Sequence, residues 1–287
     1  MKASPSMITS TQNPRIKHLL LVQQKSSQRR ADGLFVVEGR REVEHCLEAG
    51  YKLRTVFVCS EISPLPAPWG ECSGALWQRE CSTLPKGKRG GGIDAEVVPV
   101  SRNVYERIAY RGGTEGIVAV VETRCLSLRD LRLSESPLIV VLESVEKPGN
   151  LGAVLRSADA AGADAVVVCD PLTDLYNPNL IRAAIGAVFT VPCVACSTEE
   201  CISFFKEKGI RILTAQLQNS SLYYDTPMTG PTAIVMGTEA TGLTDEWRLA
   251  ADAHIRIPML GRLDSLNVSV SAAILLFEAV RQRQIEK

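Results

Sequence analysis

The sequence lacks an excess of either charge, with 32 Lys+Arg against 32 Asp+Glu in 287 residues. No global field advertises a polyanionic partner, so any nucleic-acid contact must come from a local surface. No apolar run is long enough to cross a bilayer as a helix and no signal-peptide pattern opens the chain, which leads us to expect a cytoplasmic protein with no membrane partner. Cys193 and Cys196 form a lone C-x-x-C with no second pair at zinc spacing and no nearby histidine. The nine cysteines are therefore expected to be reduced thiols, mostly small buried hydrophobes, and no metal is expected. Internal repeats and low-complexity segments are also missing.

What is present is a soluble-protein composition, 45% hydrophobic and 22% charged, ample for a buried core and better suited to two modest domains than to one. Charge is uneven along the chain. The first 41 residues carry eight basic side chains, among them Arg29, Arg30, Arg40 and Arg41, against only Asp32 and Glu38. That basic face is a candidate RNA contact, and a plain solvated surface explains it equally well.

The order of elements follows from periodicity and punctuation. "TQNPRIKHLLLVQQK" reads as a helix with Asn13 as N-cap and Pro14 in its first turn, "FVVEG" as a strand, and "RREVEHCLEAG" as a helix stopped by Gly50. Strands "LRTVFVC", "AEVVPV" and "GIVAVVE" and helix "SRNVYERIA" complete a first α/β domain over 1–122. Within it, 60–93 has no sustained period, carries Trp69 and Trp77, and reads as an exposed insertion. Residues 123–136 read as a linker. Over 137–287 strands and helices alternate as in a mostly parallel sheet with helices on both faces. Its strands are expected at "PLIVVLE", "DAVVVCD", "VFTVPCV", "IRILTAQ", "TAIVMG" and "HIRIPM", with Ser197 and Glu200 boxing a helix closed by Gly209.

Three loops of this sheet carry polar groups. After "PLIVVLE", the stretch "KPGNLGAVLRSADAAGAD" places Asn150 to cap a helix on which Gly152 and Arg156 share a face. Its glycines at 149, 152 and 162 fail the G-x-G-x-x-G spacing of a dinucleotide site, which removes a nucleotide-dependent dehydrogenase from consideration. After "TAIVMG", the loop "GTEATGLT" carries Glu239 between Gly237 and Gly242. After "HIRIPM", Ser265 and Asn267 precede a long apolar helix that either can cap. Each loop alone is ordinary turn chemistry; together, outside strand C-terminal ends, they form a candidate pocket wall.

"NLGAVLRSADAAGAD", "VMGTEATGL" and "IPM…DSLNVSVSAAILLFEAVRQR" resemble, in order, the three motifs of the SpoU (TrmH-like) RNA ribose methyltransferases of the SPOUT superfamily. The likeness runs over 138–283, and "RRADGLFVVEGRREVEHCLEAG" is similar to the small RNA-binding domain of many members. The resemblance implies S-adenosylmethionine (SAM) bound in a deep trefoil knot, a homodimer, and methyl transfer to a ribose 2'-hydroxyl. Ribosomal RNA is the first expectation because the two-domain arrangement resembles ribosomal members. A transfer-RNA enzyme, an RNA base methyltransferase and a non-catalytic RNA-binding scaffold stand as alternatives.

Carried onto this chain, Asn150, Arg156, Glu239, Ser265 and Asn267 become the active-site group. Ala215, Gly237, Ile257 and Leu266 become cofactor contacts, largely through backbone. Arg29, Arg30, Arg40 and Arg41 become RNA contacts, and the first-motif glycines are expected to let RNA and a partner subunit approach. One departure is Ala184 in "IRAAIGA", where many members have serine.

Overall fold

The computed structural model describes residues 6–62, 95–110, 115–238, 241–262 and 265–285. Glu239 and, from position 63, the expected insertion with Trp69 and Trp77 lie outside the described residues. The chain divides into two compact units, Met1–Arg124 and Cys125–Lys287.

In the first unit, α1 (Pro14–Gln24) starts where Asn13 Oδ1 accepts the Arg15 amide at 2.9 Å. Proline at the first turn costs nothing there, since its missing N–H has no intrahelical partner. A second helix, α2 (Ser26–Asp32), follows almost at once and closes on Gly33 in the left-handed conformation. The remaining elements are β1 (Leu34–Glu38), α3 (Arg40–Glu48), β2 (Leu53–Val58), β3 (Glu96–Pro99), α4 (Arg102–Ile108) and β4 (Ile117–Glu122). The sheet order is β1-β4-β2-β3, with β4 antiparallel to both neighbours and β2 parallel to β3. Ile16, Leu19 and Val22 of α1 bury against Val36, Phe57 and Val118 of the sheet, a three-residue repeat that keeps one face of the helix in the core.

Arg29 corrects the charge reading. It is 4% exposed, and its Nη1 donates to the Val22 and Gln23 carbonyls, both at 2.9 Å. These are orphan carbonyls at the end of α1, which a cationic side chain satisfies well. Arg29 is thus an internal helix cap and presents no guanidinium to RNA. Arg29→Ala is expected to lower stability by about 2–4 kcal/mol, since it leaves buried carbonyls unsatisfied. Urea unfolding of the full chain against an Arg30→Ala control, which should stay within about 0.5 kcal/mol of wild type, checks it.

The second unit holds β5 (Leu138–Glu143), α5 (Pro148–Ala160), β6 (Ala165–Cys169), α6 (Pro178–Ala184), α7 (Ala187–Thr190), β7 (Cys193–Cys196), α8 (Thr198–Lys208), β8 (Arg211–Ala215), β9 (Ser221–Leu222), β10 (Thr232–Met236), α9 (Asp245–Ala250), β11 (Ala253–Arg256) and α10 (Val268–Ile285). Every strand pairing is parallel, in the order β7-β6-β5-β10-β8-β11-β9. Strands buried on both faces read as unbroken apolar runs, as "LIVVL" and "AVVVC" do. The late strands insert among earlier ones: β10 lies between β5 and β8, and β11 between β8 and β9.

Two local expectations change. "VFTVPCV" is not one strand: Val188 and Phe189 are buried in the short α7, and the strand begins only after Pro192, at Cys193. Proline cannot donate to the ladder and so punctuates the run. Asn150 does not cap α5; Lys147 holds that position, and Pro148 takes the first turn, placing Asn150 inside the helix. The capping box of α8 is as expected, with Ser197 Oγ accepting the Glu200 amide at 3.2 Å, Glu200 Oε2 accepting the Ser197 amide at 3.0 Å, and Gly209 closing the helix.

Candidate active site

The C-terminal ends of β8, β10 and β11 open into one cleft of about 370 Å³. A volume of that size suits a small molecule or cofactor, whose sites span about 300–1,000 Å³. It lies where strand order departs from chain order, the place ligands take in open parallel sheets. Ala215 follows from β8, Gly237 from β10 and Ile257 from β11, and Ser265 and Leu266 from the approach to α10; all five line the cleft.

Gly237 has a steric reason to be glycine. A Cβ there would overlap the carbonyl group of Gly242 and stand 2.5 Å from the Leu243 amide nitrogen. The loop pinches back on itself through two backbone bonds between Thr238 and Gly242, at 3.3 and 3.1 Å. Gly242 adopts φ +70°, which costs a glycine least. The far end of this loop is tied to β5: buried Glu143 accepts from the Thr244 amide at 2.9 Å and from Thr244 Oγ1 at 2.7 Å. Glu143 was invisible as a site residue in the sequence, although a carboxylate ending an otherwise apolar strand is the available signal.

The cleft also contains groups that the sequence reading did not select: Gln216, Thr238, Thr241, Arg248, Arg256 and Met259. Gln216 is informative because its side-chain oxygen is buried with no hydrogen-bond partner, while Nε2 donates to the Gln218 carbonyl at 3.0 Å. A buried acceptor costs free energy until something donates to it, so a ligand bearing N–H or O–H groups fits this wall. Residues flanking the strand ends, "AQLQ" and "RIPM", were the sequence signal for this part. SAM offers amino and hydroxyl donors, and a backbone-rich wall with a cradle closed to side chains accommodates an adenosine-like group.

The first and third motifs meet outside the cleft lining. Asn267 Nδ2 donates to Asn150 Oδ1 at 3.2 Å, joining α5 to the residue that opens α10. Asn267 is also the helix cap, its Oδ1 accepting the Ser269 amide at 3.0 Å and the Ser269 hydroxyl at 2.6 Å. Ser265 is exposed and lines the cleft instead. Arg156 is exposed on α5 and does not line the cleft.

Gly152 faces inward, contrary to the expectation of access for RNA or a second subunit. A Cβ there would stand 2.6 Å from Ala183 Cβ and 2.9 Å from the Ala184 amide nitrogen, so the glycine lets α5 and α6 pack closely. Ala184, the departure noted above, is buried at that packing. Gly149 has nothing within 4 Å of an added Cβ.

In the first unit, Arg30 and Arg41 are exposed, and Arg40 is half-buried with Nε donating to Glu44 Oε1 at 2.8 Å. No helix among the described residues is long and apolar enough to cross a membrane.

Comparison with known proteins agrees with these motifs. Residues 137–277 match the model of the SpoU rRNA Methylase family, and residues 13–119 match that of the MRM3-like substrate binding domain. The chain is 40% identical over 190 residues to the 23S rRNA (guanosine-2'-O-)-methyltransferase RlmB of Photobacterium profundum, covering 64% of this chain and 78% of that one. It is 27% identical over 281 residues to the 23S rRNA (uridine(2479)-2'-O)-methyltransferase of Streptomyces viridochromogenes, covering 96% and 92%. Among solved structures, an AdoMet-bound rRNA methyltransferase from Sinorhizobium meliloti superposes with a TM-score of 0.82 at 30% identity, covering 97% of this chain and 98% of that one.

Proposed function

The chain belongs to the SpoU rRNA methylase family, and from that premise we propose that it transfers a methyl group from SAM to a ribose 2'-hydroxyl of ribosomal RNA. The observation that carries this reading is the single cleft uniting Ala215, Gly237, Ile257 and Leu266 from separate strand ends, with the unsatisfied Gln216 oxygen in its wall. When bound, SAM supplies a methyl group on a sulfonium, a leaving group that needs no acid. The protein's tasks are to align the acceptor oxygen, exclude competing water and accommodate the hydroxyl proton.

Arg156 performs the last task indirectly. A guanidinium is not deprotonated in proteins, so it cannot serve as a base. It clamps the RNA phosphate beside the reacting ribose and stabilises the alkoxide as it develops, with the phosphate available to take the proton. Asn150 and Asn267, linked at 3.2 Å, hold the first and third motifs in register. Ser265 positions the substrate and Glu239 orders the second loop. Glu143, through Thr244, fixes that loop's other end.

The Cys125–Lys287 unit is the catalytic one, and the late insertion of β10 and β11 between earlier strands supports a trefoil-knotted chain there. The enzyme works as a homodimer in the cytoplasm. The first unit docks RNA through Arg30, Arg40 and Arg41. Arg30→Ala with Arg41→Ala is expected to weaken RNA affinity about uniformly across sequences and to reduce the salt slope by roughly 2. Filter binding from low to moderate salt measures it; an unchanged slope removes this face from the interface.

The product decides between ribose and base. RNA methylated by the full chain with labelled SAM and digested to nucleosides should release label only as 2'-O-methylnucleoside. Label on a base would replace this reading with base methylation, and no SAM binding by calorimetry would leave an RNA-binding scaffold.

A further inference from the structure

Three cysteines of the second unit converge at a place that methyl transfer does not use. Cys169 ends β6 and Cys196 ends β7; the parallel register sets them side by side with their Sγ atoms 4.0 Å apart. Cys201 enters from the start of α8, and the three sulfur atoms all lie within 4.8 Å of one another. Cys169 and Cys201 are buried and Cys196 is half-buried. Cys193, despite its C-x-x-C spacing, has the opposite parity on its strand and stands outside the trio.

The backbone around the trio is fixed by bonds that do not involve sulfur. Asp170 Oδ2 accepts from the Thr198 amide at 3.2 Å and from Thr198 Oγ1 at 2.8 Å, fastening the end of β6 to the first residue of α8. The Ser197–Glu200 box fixes the same turn. The thiols are therefore presented by three pre-set elements, the condition for a site that binds without much rearrangement.

The spacing is close to a metal-thiolate geometry, with the Cys169–Cys196 pair at 4.0 Å and no pair beyond 4.8 Å. Three sulfurs at the zinc–sulfur distance of about 2.3 Å stand about 3.8–4.0 Å from one another, whether the arrangement is tetrahedral or trigonal. Aliphatic packing alone would not require the convergence of three sulfurs.

We propose that Cys169, Cys196 and Cys201 form a three-thiolate site for one thiophilic d10 cation, Zn2+ or Cu+, which ties the ends of β6 and β7 to the start of α8. Binding releases the thiol protons to solvent and moves no electrons. A fourth ligand, when the ion is Zn2+, is water. The site is structural and separate from the cleft, so it stands or falls independently of the methyltransferase reading.

The test uses the full chain, reduced and stripped of metal. Zn2+ is titrated against a chromophoric chelator, and Cu+ is titrated anaerobically against a Cu+-selective one. One of the two ions should bind at one per chain, and which one it is identifies the occupant. Alkylation of Cys169, Cys196 and Cys201, followed residue by residue by mass spectrometry, should slow at least about tenfold with the ion present, while exposed Cys125 reacts as before. That readout needs no variant, so a misfolded mutant cannot obscure it. Cys201→Ser should abolish stoichiometric binding and Cys193→Ser should retain it. Failure of both ions to bind, or equal protection of all cysteines, overturns the proposal.

Discussion

Arg156→Ala is expected to lower methyl transfer by roughly 10²- to 10³-fold, the scale seen when one donor to a developing oxyanion is removed, while SAM affinity stays within about twofold. The separation follows from position: Arg156 is exposed on α5 and the cleft is lined by other loops. Arg156→Lys sharpens the test. Lysine keeps the charge but loses the planar two-pronged donor, so a phosphate clamp predicts that turnover falls at least about tenfold. Single-turnover methylation with saturating RNA, beside SAM calorimetry on the same preparations, measures both. Near wild-type turnover for the lysine variant would show that charge alone suffices and that the bidentate clamp is wrong.

Gly237→Ala should act on the other half of the reaction. Its added methyl group would overlap the Gly242 carbonyl and crowd the Leu243 amide, and these are backbone atoms that cannot swing aside. The loop between Thr238 and Thr244 must move, taking with it one wall of the cleft. SAM affinity is expected to fall at least about 100-fold, or about 2.7 kcal/mol. Gly149→Ala adds the same methyl group where nothing lies within 4 Å, and SAM binding should be unchanged. Calorimetry on both variants is the comparison; retained affinity in Gly237→Ala would place the cofactor elsewhere.

These two positions also show what the sequence could and could not disclose. Local signals were readable because their causes are local. Asn13 before Pro14, the Ser197–Glu200 box and the glycines at 50 and 209 each sit where helix ends need them. The apolar runs of β5, β6 and β10 announced a parallel sheet, and the rule that ligands bind beyond strand C-terminal ends pointed to the loops of Gly237 and Ser265, whereas Ala215, Ile257 and Leu266 were reached only through the family resemblance; all five line one cleft.

What escaped depends on partners distant in sequence. Charge counting cannot distinguish an arginine on a surface from one satisfying carbonyls at the end of α1, and Arg29 is the latter. Gly152 appeared to open a face, whereas Ala183 of α6 fills it. Asn150 was assigned to the wrong partner: its contact is Asn267, 117 residues away. The order β5-β10-β8-β11-β9 likewise has no local signature, because nothing in "TAIVM" states which strands will flank it. Cys169 and Cys196, 27 residues apart, became a pair only through strand register.

Ribose methylation of ribosomal RNA can be read out by position-by-position mapping of alkaline cleavage. A ribose methyl group blocks cleavage at the adjacent phosphate because the 2'-oxygen can no longer attack. Ribosomal RNA from cells with and without the intact chain should differ by protection at a defined ribosomal nucleotide, absent again when only the Arg156→Ala form is supplied. Identical cleavage maps from the two cell populations, or a difference confined to transfer RNA, would rule out ribosomal RNA as the substrate.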